Sequence, residues 1–293
     1  MQHRHSYRAH EALVRFARAQ PELWRLLLGL VLVAAVSLAM TAALQQLVAG
    51  LFPGVWLQGL TDGSTPGAML VLLGSFGFLA LGVALAARLF HQRRFATVTG
   101  HLRPLVWQFL KVSLYLLGLT VLLMALPPYS MGPPMTPNLP FWTWLAILPL
   151  GIAGVLVQTG SEEILFRGYI QQALAARFRS PLVWLLGPSA LFALGHYLPA
   201  EAGENALMIA AWAGMFGLLM ADLTARAGTL GPAIALHLLN NLAAIAIVSP
   251  QGLMSGLALF LLPFDPADEA AVRARANGLA DALRGGVDTE RDG

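Results

Sequence analysis

Residues 141–171 read FWTWLAILPLGIAGVLVQTGSEEILFRGYIQ, an apolar stretch interrupted by two adjacent carboxylates, Glu162 and Glu163, and by Arg167. About 20 apolar residues in a helix cross a hydrocarbon core of about 30 Å. A charged side chain at that depth costs several kcal/mol unless it has a polar partner, a wet cavity or a chemical role. The stretch therefore predicts a membrane helix that carries a buried polar site.

The composition of the whole chain is that of a polytopic membrane protein. Of its 293 residues, 57% are hydrophobic and only 11% are charged, which excludes an ordinary soluble domain. The chain has no Cys, so any metal would need His, carboxylate or amide ligands. The formal charge of +3 comes from arginines at helix ends, which set topology and contact membrane lipid, and nucleic-acid binding is not expected.

Eight apolar runs have the character of membrane helices, and most of them begin at a proline, which the first turn of a helix tolerates. The runs are residues 23–51, 67–90, 105–126, 141–171, 182–198, 206–222, 233–248 and 253–264. We predict an all-α, polytopic membrane helix bundle of about eight transmembrane helices over residues 1–264. A polar cytoplasmic tail follows at residues 265–293.

The basic residues predict the orientation of this bundle. Arginines precede the first run, separate the second from the third, and recur in the tail, whereas the alternate loops contain no Lys or Arg. Because cytoplasmic loops carry the basic excess, both termini are predicted in the cytoplasm (N-in and C-in), which requires an even number of crossings. Abundant Ala and Leu, and Arg far in excess of Lys, suggest a bacterial genome and hence the bacterial cytoplasmic (inner) membrane.

Two later apolar runs carry polar pairs at helical spacing: Phe192 with His196, and His237 with Asn241. Residues four apart share one face of a helix. Phe192 is expected to pack beside His196 and to shape the wall of a substrate pocket. Either histidine alone is as often an interhelical hydrogen bonder as a functional group.

Chain distances place these groups at similar depth. Glu162 lies fifteen residues before Arg177, and His196 lies fifteen residues after Pro181. At 1.5 Å per residue, both are about 22 Å from the turn that joins their helices. His237 lies roughly 8 Å into its own helix. The three side chains are therefore expected to share one pocket that opens toward the cytoplasmic side.

The two glutamates point in different directions, because adjacent helical residues are about 100° apart. Glu163 can pair with Arg167, either as a structural ion pair or as support for catalysis. Glu162 is then free to contact a water molecule or a histidine of another helix. A carboxylate in such a pocket is suited to act as a general base.

Glu-Glu-x-x-x-Arg, Phe-x-x-x-His and His-x-x-x-Asn, in this order on separate membrane helices, resemble the motifs of the CPBP family. This family comprises CAAX proteases and bacteriocin-processing or immunity (Abi) proteins, and it includes the type II CAAX prenyl endopeptidase. The resemblance covers residues 141–248. It implies an eight-helix membrane fold and an intramembrane endopeptidase that acts on a peptide or a membrane-associated protein.

The resemblance also implies roles for the site residues. Glu162 activates water with His196, His237 and Asn241 stabilise the oxyanion, and the remaining Glu–Arg pair supports the first glutamate. An alternative in which Glu162, His196 and His237 bind zinc stays open. The chain has no His-Glu-x-x-His motif, so the sequence does not choose between the two mechanisms. The metal-free glutamate and histidine mechanism is slightly favoured.

Two other functions stay open. A proton-coupled transporter would also line a cavity with Glu and His, although its usual inverted halves are not found in the sequence. A non-catalytic bacteriocin immunity or scaffolding protein would keep the fold without needing every polar group. Retention of the complete polar set favours the peptidase.

Overall fold

The structure, a computed structural model, describes residues 7–52, 59–126, 135–263 and Asp268. Helices dominate these ranges, because chain segments in lipid must satisfy their backbone hydrogen bonds internally. Seven apolar helices follow one another in the described ranges: α1 (Leu23–Leu51), α2 (Pro66–His91), α3 (Leu102–Met124), α4 (Phe141–Arg177), α5 (Pro181–Gly195), α6 (Ala206–Ala227) and α7 (Gly231–Ile247).

Several of these helices have distinctive starts or interruptions. Prolines occupy the first turn of α2, α5 and α7, as predicted, and the Thr65 hydroxyl caps α2 by accepting from the backbone N–H of Ala68. A π-helical segment, Ile164–Ile170, interrupts α4, and a second one, Ala243–Ile247, ends α7. Short helical turns precede α1 at Arg8–His10, Glu11–Val14 and Ala17–Ala19. Others lie in the connections between helices, at Phe95–Thr99, Pro199–Ala202 and Gly203–Asn205.

The helices have the length and composition of a membrane bundle. Five of the described segments are long and apolar enough to cross a membrane, namely α1 to α4 and Pro199–Ala227, which contains α6. The helices α5 and α7 are apolar but shorter. Large apolar side chains are exposed around the bundle, and no residue of α3 is buried. The prediction of an all-α polytopic membrane bundle is confirmed.

The predicted eighth helix, residues 253–264, is wrong. This segment is irregular as far as it is described, and it forms the strand β3 (Phe260–Leu261). The strand pairs antiparallel with β1 (Thr136–Pro137) and parallel with β2 (Val248–Ser249), giving the order β1-β3-β2. Positive φ at Gly252 and Met254 breaks any helix here, and the backbone instead bonds to the α1–α2 connection, from Gly256 N–H to Gly63 O over 2.9 Å.

The loss of this helix affects the predicted topology. The even number of crossings that places the C-terminus in the cytoplasm is not found in the described part of the chain. The orientation with N-in and C-in therefore stays a prediction, based on the arginine pattern alone. The predicted tail, residues 265–293, lies outside the described residues apart from Asp268.

One close approach fixes the position of α7. A Cβ atom on Gly231 would overlap the carbonyl oxygen of Leu105 and would lie 3.0 Å from the backbone nitrogen of Phe109, both on α3. Only glycine lets the start of α7 approach the α3 backbone so closely. Since α7 carries His237 six residues later, this contact also sets the position of that imidazole.

We predict that Gly231→Ala lowers the free energy of unfolding by about 1–3 kcal/mol, because the added methyl group must push α7 away from α3. Thermal unfolding in detergent measures this change. Gly118→Ala is the matched control, since nothing lies within 4 Å of its added Cβ in the middle of α3. Equal unfolding temperatures for the two variants would contradict the proposed contact.

Candidate active site

The helix α4 supplies three charged residues to the interior of the bundle. Glu162 and Glu163 end its first α-helical part, and Arg167 lies in the π-helical segment that follows. These residues are 8%, 0% and 0% exposed, respectively. A π segment inside a helix is frequently found at a functional site. The three charges lie where the regular geometry of α4 changes.

Glu163 and Arg167 form the ion pair that the sequence predicts. Arg167 Nη1 donates to Glu163 Oε1 over 2.9 Å, and neither side chain is exposed. Arg167 Nη2 donates to the carbonyl oxygen of Gly217 in α6, also over 2.9 Å. A buried ion pair needs such additional hydrogen bonds to offset the loss of water. The arginine therefore connects α4 to α6.

His237 of α7 lies against both glutamates. Its Nδ1 is 2.8 Å from Glu163 Oε1, and its Nε2 is 3.4 Å from Glu162 Oε2. Because the Arg-paired carboxylate of Glu163 can only accept, Nδ1 carries the hydrogen of that bond. The ring is also packed edge-on against Phe216, at 5.3 Å between ring centres. Glu163 thereby turns Nε2 toward Glu162.

Gln158, one turn before Glu162 on α4, is a site residue that the sequence analysis missed. Its Nε2 donates to Glu162 Oε1 over 3.2 Å, and its Oε1 accepts from Asn241 Nδ2 over 3.1 Å. Asn241 accepts in turn from Asn240 over 3.0 Å. The spacing of four residues between Gln158 and Glu162 was the available signal. Asn241 thus reaches Glu162 indirectly, through a glutamine.

The second oxygen of Glu162 has a different environment. Oε2 is buried and forms no hydrogen bond with any residue that the structure describes. The nearby His237 Nε2, at 3.4 Å, is a neighbour at the outer limit of hydrogen-bond distance. A buried carboxylate oxygen of this kind is a suitable acceptor for a water molecule or a substrate group.

His196 forms no hydrogen bond with the residues of this cluster. It ends α5, and its Nδ1 lies 2.8 Å from the carbonyl oxygen of Phe192. The Phe192 ring is 3% exposed and packs against both imidazoles, at 4.3 Å from His196 and 5.9 Å from His237 between ring centres. The structure joins Glu162, Glu163, Arg167 and His237 by ion pairs and hydrogen bonds. His196 shares the Phe192 ring with His237 and lies near enough to Glu162 for their charges to interact.

The zinc alternative requires a set of three ligands in one place. Among residues 7–52, 59–126 and 135–263, no three His, Asp or Glu side chains are grouped so that they could hold a metal ion. His237 directs both ring nitrogens at carboxylates, and the His196 ring packs on Phe192. Glu162, His196 and His237 do not fit a zinc site in this arrangement.

Comparisons with known proteins agree with the motifs. The chain is similar to an uncharacterised protein of Bacillus subtilis strain 168, YyaK, with 28% identity over 176 residues that cover 56% of this chain. The same match spans only 56% of the length of YyaK. No solved structure matches the chain.

A family model, the type II CAAX prenyl endopeptidase Rce1-like model, matches residues 140–243. Every predicted site residue lies within these limits, from Glu162 to Asn241. The resemblance predicted from the sequence is therefore confirmed: over residues 140–243 the chain is similar to the family of type II CAAX prenyl endopeptidases.

Proposed function

We propose that this protein is an intramembrane endopeptidase that hydrolyses a peptide bond near the cytoplasmic side of the membrane. The similarity to a protease family supports peptidase activity. The observation that carries the proposal is the buried Oε2 of Glu162, which has no hydrogen bond to the described residues and lies 3.4 Å from His237 Nε2. A base and a proton carrier are thus adjacent in an apolar bundle.

The proposed first step uses Glu162 as the general base. Its Oε2 removes a proton from water while the water oxygen attacks the carbonyl carbon of the substrate. His237 lies close enough to Oε2 to share this proton. When the C–N bond breaks, the proton passes to the leaving nitrogen, and the products are a carboxylic acid and an amine. The proposed steps use side chains alone.

The roles of the other polar side chains follow from which of their hydrogen-bonding atoms have no partner among the described residues. Asn241 uses one of its two Nδ2 hydrogens on Gln158, so the second can be directed at the developing oxyanion. His196 has Nδ1 held by a backbone carbonyl, which leaves Nε2 for water or substrate. These contacts favour His237 as the proton partner of Glu162, whereas the family resemblance assigns it to the oxyanion.

Glu163, Arg167 and Gln158 are proposed as positioning residues. Glu163 orients the imidazole of His237, Arg167 holds Glu163 in place, and Gln158 fixes the rotation of the Glu162 carboxylate. None of them needs to touch the substrate. Their effect on hydrolysis is expected to come through the geometry of Glu162 and His237.

The proposed substrate is a peptide or membrane-associated protein presented at the inner membrane of a bacterium. Buried Phe192 contacts His196 and His237. This position supports its role as a wall of the substrate pocket beside the scissile bond.

We predict that Glu162→Gln lowers peptide hydrolysis by at least about 100-fold, because it removes the base and keeps the shape of the side chain. Membrane-protein termini are compared by mass spectrometry in a deletion strain that carries either the wild type or the variant. Glu201→Gln is the control, since Glu201 is exposed in the α5–α6 connection. If the strain with Glu162→Gln showed the same protein termini as the strain with the wild type, the peptidase proposal would be wrong. A non-catalytic immunity or scaffolding function would then be favoured.

We also predict that Glu163→Leu destabilises the fold by about 3–5 kcal/mol, because Arg167 keeps its buried charge and loses its partner. The double variant Glu163→Leu/Arg167→Leu should recover much of that stability, since no charge remains unpaired. Hydrolysis should stay low in both, because His237 has lost the acceptor that orients it. Thermal unfolding and substrate cleavage are measured on the same preparations, and recovery of both together would contradict the positioning role.

A further inference from the structure

A separate pocket lies where the N-terminal segment meets the α2–α3 connection. It is a cavity of about 290 Å³ whose polar lining comes from Gln20, His91, Gln92, Arg93, Arg94 and Thr97. None of these residues takes part in the candidate active site. A cavity at the lower end of ligand-pocket sizes suits a small polar group rather than a large apolar molecule.

Arg93 is the unusual residue of this pocket. It is only 5% exposed, yet its hydrogen bonds go to neutral groups: Thr97 O at 2.8 Å, Thr97 Oγ1 at 3.2 Å and Gln172 Oε1 at 2.7 Å. No carboxylate of the described residues pairs with it. Burial lowers the pKa of Arg93 to about 10, so the guanidinium is still charged at neutral pH. A buried cation with neutral partners favours the binding of an external anion.

The surroundings of the pocket are also cationic. Arg94 also lines the cavity and is exposed. The nearby carboxylate of Glu22 is already paired with Arg25 at 2.9 Å. The positive field of the pocket therefore attracts a negative group. Arg93 has no counterion among the described residues around it.

The side chains beside the pocket place it at the membrane surface. Phe16 lines the cavity and is 39% exposed, and Trp24 is 52% exposed. Guanidinium groups lie over both rings, Arg15 at 4.5 Å from Phe16 and Arg25 at 4.6 Å from Trp24. Aromatic rings and arginines gathered at one level are typical of the interface between hydrocarbon and headgroups.

We propose that this pocket binds the phosphate group of an anionic phospholipid, with Arg93 and Arg94 as its ligands. The acyl chains would remain outside, along the exposed apolar surface of α1. Arg93 also bonds to Gln172, ten residues after Glu162 on α4, so the bound headgroup would hold the α2–α3 connection against α4. This site does not depend on the proposed peptidase activity.

The test uses the purified full chain and native mass spectrometry of detergent micelles that contain either phosphatidylglycerol or phosphatidylcholine. The wild type should retain phosphatidylglycerol and not phosphatidylcholine. Arg94→Gln should weaken that binding about tenfold, the loss expected for one charge-assisted hydrogen bond. Because Arg94 is exposed, this variant should fold normally. Arg93→Gln should weaken binding at least as much.

Arg88→Gln is the matched control, since it removes an equal charge from the exposed end of α2 and leaves the pocket lining intact. Its affinity for phosphatidylglycerol should equal that of the wild type. Equal losses in Arg88→Gln and Arg94→Gln would overturn the site, because the binding would then reflect general surface charge. Inorganic phosphate that binds as tightly as the lipid, or a peptide carboxylate that binds in its place, would overturn the lipid assignment.

Discussion

The buried ion pair between Glu163 and Arg167 is the constraint on which the rest of the site depends. Two charges inside an apolar bundle need further hydrogen bonds besides their own contact, because no bulk water is available to compensate them. Arg167 donates one to Gly217 O of α6 and Glu163 accepts one from His237 of α7, whereas Arg167 Nε and Glu163 Oε2 have no partner among the described residues. One electrostatic requirement on α4 thereby fixes the relative positions of three helices.

The orientation of His237 follows from this arrangement. With Nδ1 held by Glu163, the ring can rotate little, and Phe192 and Phe216 close on it from the sides. Its second nitrogen then points at Glu162, whose other oxygen is held by Gln158. The polar groups form one connected chain within an apolar lining. Such a connected network keeps a carboxylate and an imidazole at contact distance without help from loop residues.

Physical differences explain which features the sequence could predict. The seven helices follow from long apolar runs, and the Glu163–Arg167 pair follows from a four-residue spacing within one helix, so both depend on local information. The prediction of a helix at residues 253–264 failed because the run is short and its backbone pairs with distant segments, which composition does not reveal. Gln158 was overlooked although its spacing from Glu162 is the same, since a lone amide in an apolar helix has no motif that marks it.

The adjacent glutamates show how one residue type acquires two roles. A single helical step turns their side chains about 100° apart. Glu163 therefore contacts Arg167 and His237 Nδ1, whereas Glu162 accepts from the Gln158 amide and lies 3.4 Å from His237 Nε2. A carboxylate with two strong donors is held as an acceptor in a fixed place and is poorly suited to take up a proton. The Oε2 atoms of both glutamates have no hydrogen-bond partner among the described residues, but only Glu162 can accept a proton there without weakening the ion pair with Arg167. The chemistry is therefore expected at Glu162, and Glu163 is expected to keep His237 in position beside it.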